Sequence, residues 1–84
     1  MPMNTYIATF YTHFGAVRFS KTCQVQGVPC KLMPVPRKLS SSCGTCARFQ
    51  AQAYEHLLCE EVEHVFLLQD GETPQMIYAN SQDS

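Results

Sequence analysis

The stretch TYIATFYTHFGAVRFSKTCQVQG, residues 5–27, contains a strand pattern followed directly by a helix pattern. Residues 5–11 are rich in β-branched and aromatic side chains, which favour a strand. Thr12 is a residue type that caps helix N-termini, and Gly27 is one that ends helices. Between them, small side chains and one phenylalanine recur at helical spacing: Ala16, Phe19, Ser20 and Cys23. This spacing predicts a helix over about 13–26 that lies close to a sheet.

Four further segments have the composition of strands. They lie at about 28–35, 45–49, 65–69 and 76–79. The turn signal Asp70-Gly71 predicts that the last two of these segments pair as a hairpin.

The apolar spacing of Tyr54, Leu57 and Leu58 predicts a second helix over about 51–62. The resulting order is βαββαβ with an added C-terminal strand. This order favours an α+β, ferredoxin-like sandwich with two helices on one face of an antiparallel sheet. Residues 1–80 are expected to form this single domain, with 81–84 as a disordered tail.

The composition is that of a folded protein. Of the 84 residues, 45% are hydrophobic and only 15% are charged, which excludes the disordered class. No apolar run is long enough to cross a membrane, and no signal-peptide pattern is present, so we expect a cytoplasmic protein. A core this small favours association with a partner or with a second copy.

The charged residues are segregated along the sequence. All six Lys and Arg residues lie within 1–48, and all seven Asp and Glu residues lie within 55–84. Two interpretations are open. Either the two segments pack together and neutralise each other, or the basic segment presents a surface that attracts anions.

The stretch PVPRKLSSSCG, residues 34–44, is the candidate functional loop. Its hydroxyl groups and backbone N–H groups could form a concave, anion-binding turn that stabilises a thiolate on Cys43. Cys43 is therefore the candidate nucleophile. The expected supporting residues are Arg37, Lys38, Ser40, Ser41, Ser42 and Gly44. The alternative is a surface connection with an incidental cysteine.

Cys46 completes a Cys-x-x-Cys pattern with Cys43. It could be a buried strand residue, or a redox-active thiol that forms a disulfide with Cys43, either as a dithiol redox pair or to displace cargo from Cys43. A zinc site is not expected, because no second ligand pair is present. The other cysteines, Cys23, Cys30 and Cys59, are interpreted as small buried hydrophobic residues.

The loop and its surroundings resemble the selenium/sulfur-carrier-like family of short bacterial proteins. In that family the motif also follows a strand–helix–strand segment and precedes Gly-x-x-x-Arg-Phe, seen here at residues 44–49. The resemblance covers about residues 6–58, whereas residues 59–84 match poorly and add a hairpin. It implies that Cys43 carries sulfur or selenium as a persulfide or perselenide. The cargo would come from a donor protein of the cysteine desulfurase type and pass to an acceptor protein, with no cofactor.

Two other function classes share some of these sequence features. A non-catalytic module could use the serine-rich loop to bind an anion or a protein. Nucleic-acid binding is not expected, although Phe10, Tyr11 and Phe49 could in principle stack bases. The three histidines, among them His13, have no catalytic partner near them in the sequence.

Overall fold

An antiparallel sheet of five strands forms the frame of the computed structural model, which describes residues 3–39, 41–69 and 73–80. The strands are β1 (Asn4–Phe10), β2 (Cys30–Pro34), β3 (Thr45–Ala51), β4 (Val62–Leu68) and β5 (Gln75–Ala79). They are arranged in the order β2-β3-β1-β4-β5. This α+β arrangement is compatible with a ferredoxin-like fold. The predicted tail at 81–84 lies outside the described residues.

Helix α1 (His13–Gln26) has the bounds that the sequence predicts. At its start, the Thr12 hydroxyl accepts a hydrogen bond from the Gly15 backbone N–H at 3.1 Å. At its end, Gly27 has a φ of 75°, and its N–H points to the carbonyls of Cys23 and Gln24. Glycine adopts this left-handed conformation without the steric cost of a Cβ atom. The helix prediction is confirmed at both ends.

The predicted second helix over 51–62 is wrong. β3 continues to Ala51, a 3₁₀ turn occupies Glu55–Leu57, and β4 already begins at Val62. The residues at both ends of the predicted helix belong to strands, because Ala51 pairs with Asn4 and Val62 pairs with Phe10. Strand pairing here overrides the local helical spacing.

The core lies between α1 and one face of the sheet. Its centre is an aromatic cluster in which the Phe19 ring lies 5.3 Å from Phe10 and 5.1 Å from Phe49, centroid to centroid. Phe10 and Phe49 are 0% and 1% exposed, so neither ring is accessible for stacking on a base. Their burial agrees with the expectation that these rings do not bind nucleic acid.

One end of the sheet positions the candidate site. β2 ends at Pro34, which pairs with Thr45 at the start of β3, and β1 ends at Phe10, which pairs with Val62. Since α1 begins at His13, its N-terminus lies at the same end. We call this the loop end, because the segment 35–44 crosses it. Within the described residues, no helix is long and apolar enough to cross a membrane.

Candidate functional site: the Cys43 loop

The segment 35–44 is anchored by backbone hydrogen bonds. The Val35 N–H donates to the Gly44 carbonyl at 3.1 Å, which extends the β2–β3 hairpin by one step. The Leu39 N–H donates to the Pro36 carbonyl at 3.0 Å and closes a tight turn. Gly44 has a φ of 75°, a conformation that favours glycine directly after the cysteine.

Cys43 is half-buried and packs against the helix-side core. Its thiol donates to the Thr45 carbonyl at 3.4 Å, and its backbone N–H donates to the Ser41 hydroxyl at 3.4 Å. The polar partner of the thiol is therefore a hydrogen-bond acceptor and not a cation. The residue as a whole is partly open to solvent at the loop end.

The serines hold the loop to the rest of the fold. The Ser41 hydroxyl donates to the Phe10 carbonyl at 3.3 Å. Ser42 binds both oxygens of the Glu63 carboxylate: its backbone N–H donates at 3.1 Å, and its hydroxyl donates at 2.8 Å. Ser40 lies outside the described residues. Ser42 thus binds a carboxylate of the protein itself, and stabilisation of a Cys43 thiolate by the hydroxyl and N–H groups of the loop stays a prediction.

Charge around the loop is mixed. Arg37 and Lys38 are exposed at the centre of the tight turn closed by Leu39. Glu63, from the acidic segment, places its negative charge beside Ser42, the residue directly before Cys43. Glu63 thus reaches the loop through a serine and not through a cation, so this contact tests neither interpretation of the charge pattern. Support of a Cys43 thiolate by Arg37 and Lys38 stays a prediction.

The sequence did not identify His13 or Glu63 as part of this site. His13 lies at the start of α1, and its Nδ1 is 3.3 Å from the Thr45 hydroxyl. The backbone carbonyl of Thr45 accepts the hydrogen bond from the Cys43 thiol. His13 is 32 residues from Thr45, and Glu63 is 21 residues from Ser42. Both contacts depend on sheet register, so no local sequence signal marks them.

Cys46 is a buried strand residue, as one of the two interpretations predicted. It is 0% exposed in β3, and its sulfur lies 3.7 Å from the Pro34 carbonyl oxygen. Burial, and to a smaller extent the charge of Cys43, raises the pKa of the Cys46 thiol to about 11. Cys46 pairs with Thr9 and precedes the core residue Ala47, so its side chain points away from the helix. Cys43 and Cys46 therefore lie on opposite faces of the sheet.

Among the described residues, no three His, Cys, Asp or Glu side chains are grouped as metal ligands. A protein-family model described as "Putative Se/S carrier protein-like" matches residues 5–65. This match includes the whole of the loop and ends within β4. No curated protein and no solved structure matches the chain.

Proposed function

Because the chain belongs to the family described as "Putative Se/S carrier protein-like", we propose that it carries sulfur or selenium on Cys43. The observation that carries this proposal is the position of Cys43. It is a partly exposed thiol in a loop that is anchored at both ends and followed by a left-handed glycine. An accessible thiol on an anchored loop suits transfer of a small group between two protein partners.

The proposed loading step is a thiol–persulfide exchange. The Cys43 thiolate attacks the terminal sulfur of a donor persulfide, forming a new S–S bond and breaking the S–S bond of the donor. The products are a Cys43 persulfide and the donor thiolate, so sulfur, charge and electrons balance. Selenium would follow the same course as a perselenide. Handover repeats the exchange, with a thiolate of the acceptor as the attacking group.

The residues around Cys43 have separate roles in this proposal. Ser41 and Ser42 fix the course of the loop through Phe10 and Glu63. Gly44 allows the chain to turn into β3. Arg37 and Lys38 supply positive charge for an anionic thiolate or persulfide, and Ser40 adds a further hydroxyl group to the loop.

The proposed partners are proteins. The donor is of the cysteine desulfurase type, and the acceptor is a protein with a thiolate or another sulfur-accepting group. A reducing compartment such as the cytoplasm suits this chemistry, because it keeps the free thiols from forming stable disulfides.

The test is mass spectrometry after incubation with a cysteine desulfurase and cysteine. Trypsin cleaves after Lys38 and after Arg48, so Cys43 and Cys46 are recovered together on the peptide 39–48. We expect this peptide to gain one sulfur atom, with fragment ions assigning it to Cys43. The gain should vanish in Cys43→Ser and persist in the control variants Cys46→Ala and Cys59→Ser.

Two outcomes would replace the proposal with an alternative. If the wild-type protein gains no sulfur from an active desulfurase, the loop is better explained as a non-catalytic binding surface. If the peptide 39–48 instead loses two hydrogen atoms and resists alkylation, Cys43 and Cys46 act as a dithiol redox pair. The burial of Cys46 on the opposite face of the sheet argues against this second alternative.

A further inference from the structure

Cys23 and Cys30 face each other across the gap between α1 and β2. Cys23 is in the last turns of the helix, 0% exposed, and belongs to the helix-side core. Cys30 pairs directly with Phe49, so it shares the helix-facing side of the sheet with that ring. Phe49 contacts Phe19, which lies one helical turn before Cys23. The two cysteines therefore occupy adjacent positions on the two surfaces that meet.

The chain reversal between them brings the strand back along the helix. The Val28 N–H donates to the Cys23 carbonyl at 2.8 Å, immediately after the left-handed Gly27. β2 begins two residues later and is an edge strand, with β3 on one side only. An edge strand can shift slightly toward the helix without breaking a second ladder. A disulfide between the two cysteines requires an approach of this kind, because its geometry demands closely spaced Cα and Cβ atoms.

Only one of the two thiols can meet a reagent from solvent. Cys23 is fully buried, whereas Cys30 is partly exposed and lines a cleft of about 360 Å³ together with Ser20, Gln24 and Val28. An accessible thiol can attack a disulfide from solvent, and a second thiol beside it can then resolve the mixed disulfide.

The hydrogen bonding of the pair favours the same division of roles. The pKa of the Cys30 thiol is lowered, chiefly because the Cys23 thiol donates a hydrogen bond to it, with further help from the Ser20 hydroxyl against the opposing effect of burial. The pKa of Cys23 is raised, chiefly because it is the donor in that hydrogen bond, and burial adds to the effect. Cys30 is the thiol that ionises first.

We propose that Cys23 and Cys30 form a redox-active dithiol, separate from Cys43, which a small-molecule disulfide converts to an intramolecular disulfide. The Cys30 thiolate attacks the small disulfide, forming a mixed disulfide and releasing one small thiolate. The Cys23 sulfur then attacks the Cys30 sulfur and displaces the second small thiol, which takes the Cys23 proton. Two protein thiols are oxidised, and one small disulfide is reduced to two thiols. Once Cys30 is in the mixed disulfide it is no longer an anion, so Cys23 loses the partner that held its proton.

The positions of the lysines allow a direct test on the intact, full-length chain. Trypsin cleaves after Lys21 and after Lys31, so Cys23 and Cys30 are recovered on the peptide 22–31, apart from every other cysteine. The folded protein is incubated with hydroxyethyl disulfide, denatured, alkylated and digested. We expect the peptide 22–31 to be lighter by two hydrogen atoms, to resist alkylation, and to recover both thiols after treatment with dithiothreitol.

Matched variants separate the two roles. In Cys23→Ser, Cys30 should accumulate as the mixed disulfide, because the resolving thiol is gone. In Cys30→Ser, Cys23 should remain free, because it is buried. Cys59→Ser should leave the peptide 22–31 unchanged. The exposed Cys59 of the wild-type protein also serves as a check that the reagent is active.

Either of two results would overturn the proposal. One is a peptide 22–31 that stays fully alkylated while Cys59 carries the adduct. The other is closure of the disulfide only at urea concentrations that unfold the protein, as followed by circular dichroism in the same samples. The test does not involve sulfur loading, so its failure is distinct from a failure of the carrier proposal.

Discussion

The loop end and the opposite end of the sheet each contain two cysteines. The two cysteines of the loop end lie on opposite faces of the sheet, whereas the two at the opposite end lie on the same face. Cys43 and Cys46 are three residues apart in the sequence but lie on opposite faces, with Cys46 buried. Cys23 and Cys30 are seven residues apart but lie on the same helix-facing side. Sequence spacing alone would favour the first pair as the dithiol. Strand alternation and the helix reversal favour the second.

The largest effect that we expect is a difference in alkylation rate between Cys43 and Cys46, the two thiols of the loop end. A pKa of about 11 leaves Cys46 with roughly a hundredfold less thiolate at neutral pH than a free thiol, and burial slows it further. We expect iodoacetamide to modify Cys43 at least about a hundredfold faster than Cys46. Both are read from fragment ions of the peptide 39–48. Equal rates at the two positions would show that the loop end opens and exposes Cys46.

Because Cys43 is the candidate nucleophile, we expect it to be alkylated faster than the other four thiols, but the structure also identifies Cys30 as a reactive thiol. The pKa of Cys30 is lowered mainly by its hydrogen bond from Cys23. The same alkylation experiment therefore includes Cys30 on the peptide 22–31. In Cys23→Ala, the pH at which Cys30 begins to react should rise, because its main hydrogen-bond donor has been removed. A profile that does not move would mean that the two thiols are not in contact.

The next effect concerns stability at high pH. Burial is the main cause that raises the pKa of Cys46 from 9.0 to about 11. The unfolded chain therefore releases this proton first as the pH rises. The contribution of Cys46 to the free energy of unfolding is intact below about pH 9 and decreases between about pH 9 and 11, by roughly 1–3 kcal/mol.

Urea unfolding at about pH 7 and about pH 10.5 measures this decrease. Cys46→Ala should be less stable than the wild-type protein at neutral pH, because it leaves a small cavity. It should nevertheless lose less stability between the two pH values. Parallel losses in the two proteins would contradict the assignment of this pH dependence to Cys46.

The features that the sequence predicts are those encoded by neighbouring residues. Helix α1 has a capping threonine, helical spacing and a terminal glycine within a single stretch, and its predicted bounds are confirmed. The helix over 51–62 has only local spacing to support it, and the pairing of β4 with β1 removes it. The Glu63 and His13 contacts and the Cys23–Cys30 pair depend on register and on strand alternation between distant segments. A single sequence does not encode these in local form.

Two left-handed glycines of the described chain offer a smaller, matched comparison of the two ends. Gly27 and Gly44 both have a φ of 75°, and an added Cβ would meet nothing within 4 Å at either position. Each glycine-to-alanine substitution should therefore cost about 1 kcal/mol through backbone strain alone. Urea unfolding measures both. Only Gly44→Ala should also change the alkylation rate of Cys43, and a change of equal size in Gly27→Ala would show that the two ends are coupled.

The smallest expected effect is the electrostatic influence of individual side chains on Cys43. Glu63 brings a negative charge to Ser42, next to the thiol, whereas Arg37 and Lys38 supply positive charge from the exposed turn. Glu63→Gln should speed alkylation of Cys43 by about two- to fivefold, because a thiolate is less opposed when that carboxylate is neutralised. The double variant Arg37→Ala with Lys38→Ala should slow it by a similar factor.

Both changes should shrink in raised salt, since exposed charges are screened over about 10 Å at 0.1 M salt. Glu60→Gln is the matched control, because it removes an exposed carboxylate from the same acidic segment whose side chain makes no hydrogen bond to the described part of the loop. Glu63→Gln could instead slow alkylation. That result would mean that the two hydrogen bonds from Ser42, which hold Cys43 in a reactive position, have a larger effect than the repulsion between the Glu63 charge and the Cys43 thiolate. The reactivity of Cys43 would then depend chiefly on the anchoring of the loop by Glu63.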